Sequence, residues 1–525
     1  MISNQITDSI VNTVLRQMGA TKIKTLPAYI NIVTFKFSED FKVQYVYEMK
    51  ENDNIYLQRV APYPYFLGEP DNSDALIEMI KKDLDGYVNA HESDNFPLYM
   101  DIERKAEIAR NKLQNLLLGD KYANPEDLQG LSDLMSKVIE VLSDSETNTS
   151  DEKPVVKSLC LNIAHDCNLR CKYCFASQGD YDTNKRELMS FDVAKRAIDL
   201  LIESSAGKRQ HCEVDFFGGE PLMNFGVVKQ TIEYIRKQEK LHNKVFKLSL
   251  TTNGLLLDEE KITYLTDNHI SLILSLDGRE DVHNRMRPDA GGHGSYKRIV
   301  KNLQHAVSGR NGEEYYVRGT YTKYNLDFTA DVEHMADLGF DGLSMEPVVG
   351  DDLSYAIDES DLKRIDEEYE NLTDFYLERY FSSRPVIYYH FIMDLYRGPC
   401  IAKRLRGCGA GHEYMCVVPN GDIYPCHQFV GQEEYAIGSV YDGITNTELP
   451  RLFRDMHVLN KPTCCKCWAK FFCSGGCHAN NIKYGGSIDT PYELGCKIQK
   501  KRIECAMYIQ ALIAVKKREG EKAGE

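Results

Sequence analysis

The stretch that decides the fold is SLCLNIA (158–164), followed at once by HDCNLRCKYCFA (165–176). The first seven residues are a short run of mostly apolar side chains, which reads as a strand. The next twelve carry Cys167, Cys171 and Cys174, spaced x3 and then x2. Thiolates packed this closely on a loop can wrap one face of a cubane iron–sulfur cluster. Such clusters normally take four thiolates, so three leave one iron open to chelate a small ligand and pass it an electron. Zinc commonly pairs its thiolates as C-x2-C with a distant second pair, which leaves the x3 spacing unexplained. On these residues alone, zinc and a chance grouping stay open.

Working outward, the same strand-like pattern recurs at 212–218, 246–252, 270–277, 315–322 and 342–348, with helix-length amphipathic segments between. Strands alternating with helices predict a parallel sheet, open or closing toward a barrel, with its chemistry at the C-terminal strand ends. Polar residues stand at those ends: Gly218-Gly219-Glu220, Thr251-Thr252-Asn253-Gly254, and Ser275 with Asp277-Gly278. The two glycines let backbone approach a ligand, and the carboxylate of Glu220 suits an ammonium. Arg287 is a candidate two-pronged clamp for a carboxylate, with Arg285 close enough to compete. Cys160 and Cys212 lie on apolar strand patterns and read as small core residues. A helix is expected over 358–382.

Residues 1–145 read as a separate unit. Strands are expected near 28–36, 42–49 and 54–62, then helices near 73–88, 101–118 and 125–142. The polar run SDSETNTSDEKP (143–154) is a linker candidate. No fixed-period repeat is evident.

The chain has 525 residues, 63 Lys+Arg against 79 Asp+Glu, and a net charge of −16. That is long enough for several cores without disulfides, and too acidic to favour nucleic acid or an anionic membrane. No apolar run approaches a membrane span, and the N-terminus lacks a basic start followed by an apolar core. A cytoplasmic protein is the expectation. Sixteen cysteines fall at or after Cys160, eleven of them between Cys400 and Cys505. In a large chain without an export signal, that usage reads as metal binding or catalysis.

The C-terminal cysteines have an order of their own: Cys408-x12-Gly421-x4-Cys426, then Cys464-x2-Cys467-x5-Cys473-x3-Cys477, then x18 to Cys496. Seven thiolates approach the number two cubane clusters need, while a two-zinc arrangement stays open. Cys416, Cys465 and Cys505 fall outside this order and read as packed or incidental thiols.

CNLRCKYC, GGEP (218–221) and SLDGREDVHNRMR (275–287) together resemble the radical S-adenosylmethionine (SAM) superfamily. The resemblance implies a partial (β/α)6 barrel and a SAM-binding [4Fe-4S] cluster on Cys167, Cys171 and Cys174, beside the aromatic Tyr173. Gly218, Gly219, Glu220, Asn253, Ser275 and Arg287 would contact SAM. The C-terminal cysteines resemble the SPASM extension, which implies two auxiliary [4Fe-4S] clusters. One would take Cys408, Cys426 and Cys477, with Cys400 as fourth ligand or an open iron. The other would take Cys464, Cys467, Cys473 and Cys496.

GPCIAKRLRGCGAGHEY, NGDIYPCHQFVG and CWAKFFCSGGCHANN, with VRGTYTKYNLDF and SMEPVVG, are similar to the SCIFF and ranthipeptide maturases. The implied organisation is a winged-helix-like leader-peptide recognition domain (1–145), a linker (146–156), a barrel (157–375), a SPASM domain (376–515) and a flexible tail (516–525). The implied activity is thioether formation in a Cys-rich precursor peptide, by hydrogen abstraction with a 5′-deoxyadenosyl radical. Its partners would be that leader-bearing peptide and a one-electron reductant such as flavodoxin or ferredoxin.

Three other readings compete: a sulfatase-type maturase forming formylglycine, a maturase making Cα-thioether or C–C links, and a non-catalytic metal scaffold or electron carrier. A SAM pocket has no use in a scaffold. No acid–base dyad emerges, and His165, His283, His427 and His478 read as packing or supporting residues beside the motifs.

Overall fold

The computed structural model describes parts of residues 11–91, then residues 154–310, 314–392 and 401–522. The helices expected over 101–118 and 125–142, most of the linker, and Cys400 lie outside the described residues.

The N-terminal unit is an antiparallel sheet in chain order: β1 (Lys22–Leu26), β2 (Ile30–Lys36), β3 (Lys42–Met49), β4 (Ile55–Ala61) and β5 (Tyr65–Gly68). Alternation turns Val33, Phe35, Val43, Tyr45 and Tyr47 to one face. Helix α1 (Ser73–His91) lays Leu76, Ile80 and Leu84, spaced i, i+4, i+8, on that face. The Tyr45 hydroxyl donates to Asp83 at 2.9 Å, which ties sheet to helix.

The central sheet follows the expected alternation. Strands β6 (Ser158–Ala164), β7 (His211–Gly218), β8 (Val245–Thr252), β9 (Ser271–Ser275), β10 (Tyr315–Tyr321) and β11 (Gly342–Pro347) pair in parallel in chain order. Helices α2 (Phe191–Ser204), α3 (Phe225–His242), α4 (Glu259–Asp267), α5 (Glu280–Met286), α6 (Tyr296–Val307) and α7 (Phe328–Asp337) make the returns, and α8 (Leu362–Tyr380) follows β11. This is the radical SAM type of α/β fold, a partial barrel of parallel strands with helices outside.

On β7 every second residue, Cys212, Val214 and Phe216, is buried toward the helices, and β8 does the same with Phe246, Leu248 and Leu250. Each such side chain contributes about 1.5–3 kcal/mol of burial. The other face of those strands therefore turns Asp215, Phe217, Ser249 and Thr251 into the barrel. Cys160 and Cys212 are buried, as their apolar setting predicts.

Short strands extend both flanks into one sheet of 11 strands. β12 (Ile387–Tyr388) pairs beside β11, and β13 (Tyr414–Val417) pairs in parallel with β6. Antiparallel β14 (Asp422–Tyr424), β15 (Gly438–Ser439) and β16 (Gly443–Ile444) follow. The segment from Cys408 to Cys426 is thereby built onto the strand that leads to the first cysteine loop, with Cys416 opposite Cys160. The last helix, α9 (Glu493–Lys522), packs along α8 and against β4. No described helix is long and apolar enough to cross a membrane.

Candidate functional site

The first cysteine loop leaves the end of β6 and is gripped by the end of β7. Gly219 N–H donates to the Ala164 carbonyl at 2.7 Å, and Glu220 N–H to the Asp166 carbonyl at 2.9 Å. A Cβ on Gly219 would stand 2.1 Å from the Asp166 carbonyl oxygen, so only glycine permits this approach. Gly218 adopts φ +140°, and a Cβ there would meet the Ala164 carbonyl at 2.5 Å. The glycines thus serve the cysteine loop as well as any ligand.

Glu220 is 1% exposed and fully engaged in strand-end contacts. Its carboxylate accepts from Leu222 N–H at 3.1 Å, Thr252 Oγ1 at 2.8 Å and Asn253 N–H at 2.8 Å. Burial nevertheless pushes its carboxyl up to about 7. Asn253 reaches toward the cysteines: its Nδ2 donates to Asn168 Oδ1 at 2.8 Å and lies 3.8 Å from Cys167 Sγ.

Burial, and then the nearby Glu220 charge, push the Cys167 thiol up to about 12. Cys171 also rises to about 12 through burial, with Cys174 and Asp277 adding to it and Arg287 opposing. Three half-buried thiols that resist ionisation together form a site for a cationic group, which would take them as thiolates. Among the described residues no three or more His, Cys, Asp or Glu side chains close on a single metal ion. Thiolates at the corners of a four-iron cluster stand further apart than around one tetrahedral ion, so the donor set fits the cluster better than zinc.

Tyr173 and Arg287 meet at Asp277. The Tyr173 hydroxyl donates to Asp277 Oδ2, and Arg287 Nε lies 3.0 Å from Asp277 Oδ1. The Arg287 guanidinium sits 5.3 Å from the Tyr173 ring centroid and is close enough to Cys171 to lower its pKa. Asp277 also accepts Thr320 N–H at 2.9 Å, tying the β9 end to β10. Arg285 is instead exposed, 4.8 Å from the Tyr324 ring centroid, so it does not compete with Arg287. Ser275 ends β9, half-buried, in register with Arg318 of β10.

Inside the barrel lies a polar group that the sequence reading did not single out. Asp215 accepts from Ser249 Oγ at 2.9 Å, and burial lifts its carboxyl to about 6. Glu346 lies 3.2 Å from His390 Nε2 and accepts from Arg502 of α9 at 2.9 Å. Burial would raise its carboxyl, but His390, Arg502 and Arg318 hold it down at about 2. The signal available was a charge inside an apolar strand, Arg318 in YYVRGTY and Glu346 in GLSMEP. Arg502, distant in sequence, gave none.

The four histidines pack as expected. His165 faces the Tyr181 ring at 4.8 Å, and His283 bonds Ser295 Oγ at 3.0 Å. The His427 ring lies 5.0 Å from both Phe217 and Phe175, and His478 meets Phe453 edge-on.

The C-terminal thiols gather in two sets. Cys408 and Cys426 each feel Cys477, and Cys426 also feels Cys408. Cys496 feels Cys473, Cys464 and Cys467 in turn. All the described cysteines are free thiols. Cys416 is buried beside Cys160 across the β6–β13 pair, Cys505 is buried, and Cys465 Sγ turns to the Pro462 carbonyl at 3.2 Å.

The radical SAM superfamily profile matches residues 161–317, the stretch from Leu161 of β6 through Val317 of β10. The chain carries a radical SAM domain. Superfamily members use SAM and a [4Fe-4S] cluster. Among curated proteins, the chain is similar to the cysteine-type anaerobic sulfatase-maturating enzyme of Clostridium novyi (strain NT), 25% identical over 62% of this chain and 89% of that one. It is similar to the radical SAM cyclopropyl synthase TigE of Paramaledivibacter caminithermalis, 25% identical over 63% and 70%. It is also similar to the antilisterial bacteriocin subtilosin biosynthesis protein AlbA of Bacillus subtilis (strain 168), 22% identical over 64% and 70%. The chain shares its fold with a solved structure described as "Native anSMEcpe with bound AdoMet". That match has a TM-score of 0.56 and 21% identity, and covers 68% of this chain and 98% of the other.

Proposed function

We propose that this chain is a peptide maturase that forms thioether links between cysteine sulfur and a carbon of another residue in a ribosomally made, Cys-rich precursor peptide. The observation that supports this reading is that β13, flanked in sequence by Cys408 and Cys426, pairs with the strand leading into the SAM-type cysteine loop, while the C-terminal thiols influence one another electrostatically in two sets. With SAM and the clusters bound, their chemistry is a deoxyadenosyl radical that takes one hydrogen atom from the peptide, and irons that take the electron left when the C–S bond forms and the thiol proton leaves.

This chain's own residues orient and shield. Cys167, Cys171 and Cys174 would hold the SAM-binding cluster. Glu220 would hold the SAM ammonium, and Ser275 and Arg287 its carboxylate, with Asp277 fixing the guanidinium. Gly218, Gly219, Asn253 and Tyr173 complete the wall. Cys408, Cys426 and Cys477, with Cys400, would ligate one auxiliary cluster; Cys464, Cys467, Cys473 and Cys496 would ligate the other. Asp215, Arg318 and Glu346 line the space where a peptide side chain would enter. The N-terminal sheet ends in β1 and β5, whose outer edges suit an added leader-peptide strand.

A second reading, oxidation of a cysteine to formylglycine, is favoured by the similarity to the Clostridium novyi enzyme. Candidate Cys-rich peptides incubated with SAM and a one-electron reductant separate the two. Thioether formation removes two hydrogens and one alkylatable thiol while sulfur is retained. Loss of sulfur from the modified cysteine would establish formylglycine chemistry instead.

A further inference from the structure

Lys461 is fully buried, three residues before the C-x2-C pair that opens the second thiol set. Its Nζ donates to the Gly475 carbonyl at 2.9 Å and lies 3.4 Å from His478 Nδ1. Neither partner is an anion: burial first, and then the Lys461 and His412 charges, push the His478 imidazole down to about 3. Among the described residues no carboxylate lies within ion-pair distance of Lys461. Asp489 is within electrostatic reach but is only half-buried and is bonded to Ser487 and Thr490. An ammonium taken out of water without a counter-charge is costly, so its position calls for one.

Burial lowers the Lys461 ammonium from its ordinary value, and the groups that oppose this are the thiols Cys464, Cys473, Cys477 and Cys496. Cys477 belongs to the first C-terminal set and the other three to the second, so this lysine stands between the two. Gly475, which anchors it, lies between Cys473 and Cys477 with φ +84° and also accepts from Asn481 Nδ2 at 3.1 Å. The anchor is therefore part of the loop that passes from one set to the other.

We propose that Lys461 is the shared counter-charge of the two auxiliary iron–sulfur clusters, a positioning residue that raises their reduction potentials so that they accept the electron released by the peptide. The inference rests on the reading of the seven cysteines as cluster ligands. Its physics is simple: a fixed cation lowers the energy of the more negative, reduced cluster more than that of the oxidised one. The lysine's role is electrostatic, and no proton moves on it.

The test is reconstitution of the full-length parent, Lys461→Met and Lys461→Arg, with iron analysis and EPR-monitored redox titration. In Lys461→Met with parental iron content, the auxiliary midpoints move to more negative values, while the SAM-binding cluster stays where it is. Lys461→Arg keeps midpoints near the parent's. Iron lost in Lys461→Met but kept in Lys461→Arg also supports the counter-charge. Unmoved auxiliary midpoints in an iron-replete Lys461→Met, or equal iron loss in both variants, overturns the proposal. A parent that binds iron only at the first cysteine loop overturns the cluster reading itself, and this inference with it.

Discussion

Asp277 shows how much one side chain organises. It is fully buried and holds the Arg287 guanidinium, the Tyr173 hydroxyl and the Thr320 amide at once. Asp277→Asn leaves a buried arginine without its counter-charge, so stability falls by about 3–5 kcal/mol, read as a lower urea midpoint. Glu220 supplies a pH test. Burial raises its carboxyl from 4.5 to about 7, so the folded chain keeps a proton the unfolded chain has released. Folding stability contributed by Glu220 therefore declines as pH rises from about 4.5 to about 7 and then levels off. Glu220→Gln removes that slope in urea titrations run across the same range. SAM binding runs the other way, because the carboxylate is the form that pairs with an ammonium; equilibrium dialysis should show retention weakening below about pH 7 in the parent and little pH dependence in Glu220→Gln.

At the scale of elements, the interlock of the β7 end with the cysteine loop is the joint on which the site turns. Gly219→Ala puts a methyl into the Asp166 carbonyl, and backbone has no soft way to yield. Iron analysis of that variant should show about four fewer atoms than the parent, with deoxyadenosine formation lost. The six central strands were legible as short, mostly apolar runs between helix-length segments, and β6, buried along its whole length, begins and ends where its run does. β1 and β5 were missed, being short edge strands of five and four residues. β12 to β16 span two to four residues each, too few for any period to show. The strand-end residues of the site were legible for the same reason as the strands. Their partners were not: nothing in SLDGREDVHNRMR says that Arg287 turns back onto Asp277, and nothing in NKPTCCKC says that Lys461 is buried.

At the scale of the molecule, α9 closes the account. Arg502 reaches from that helix to Glu346 inside the barrel, and Lys501 reaches Glu370 on α8 at 2.8 Å. The C-terminal segment therefore supplies part of the barrel's interior charge as well as Cys496. Arg502→Met should cost about 1–3 kcal/mol, below the cost of breaking a dry pair because Glu346 keeps some contact with the lumen. Paired urea titrations of variant and parent check this. The central claim, a SAM-cleaving cluster with two auxiliary clusters behind it, is tested most directly by anaerobic reconstitution. Iron, labile sulfide and 5′-deoxyadenosine are measured for the parent and for a Cys167→Ala/Cys171→Ala/Cys174→Ala variant. The account predicts about twelve irons in the parent, about eight in the variant, and deoxyadenosine only from the parent. Zinc in place of iron, or a variant that keeps all of the parent's iron, would contradict it.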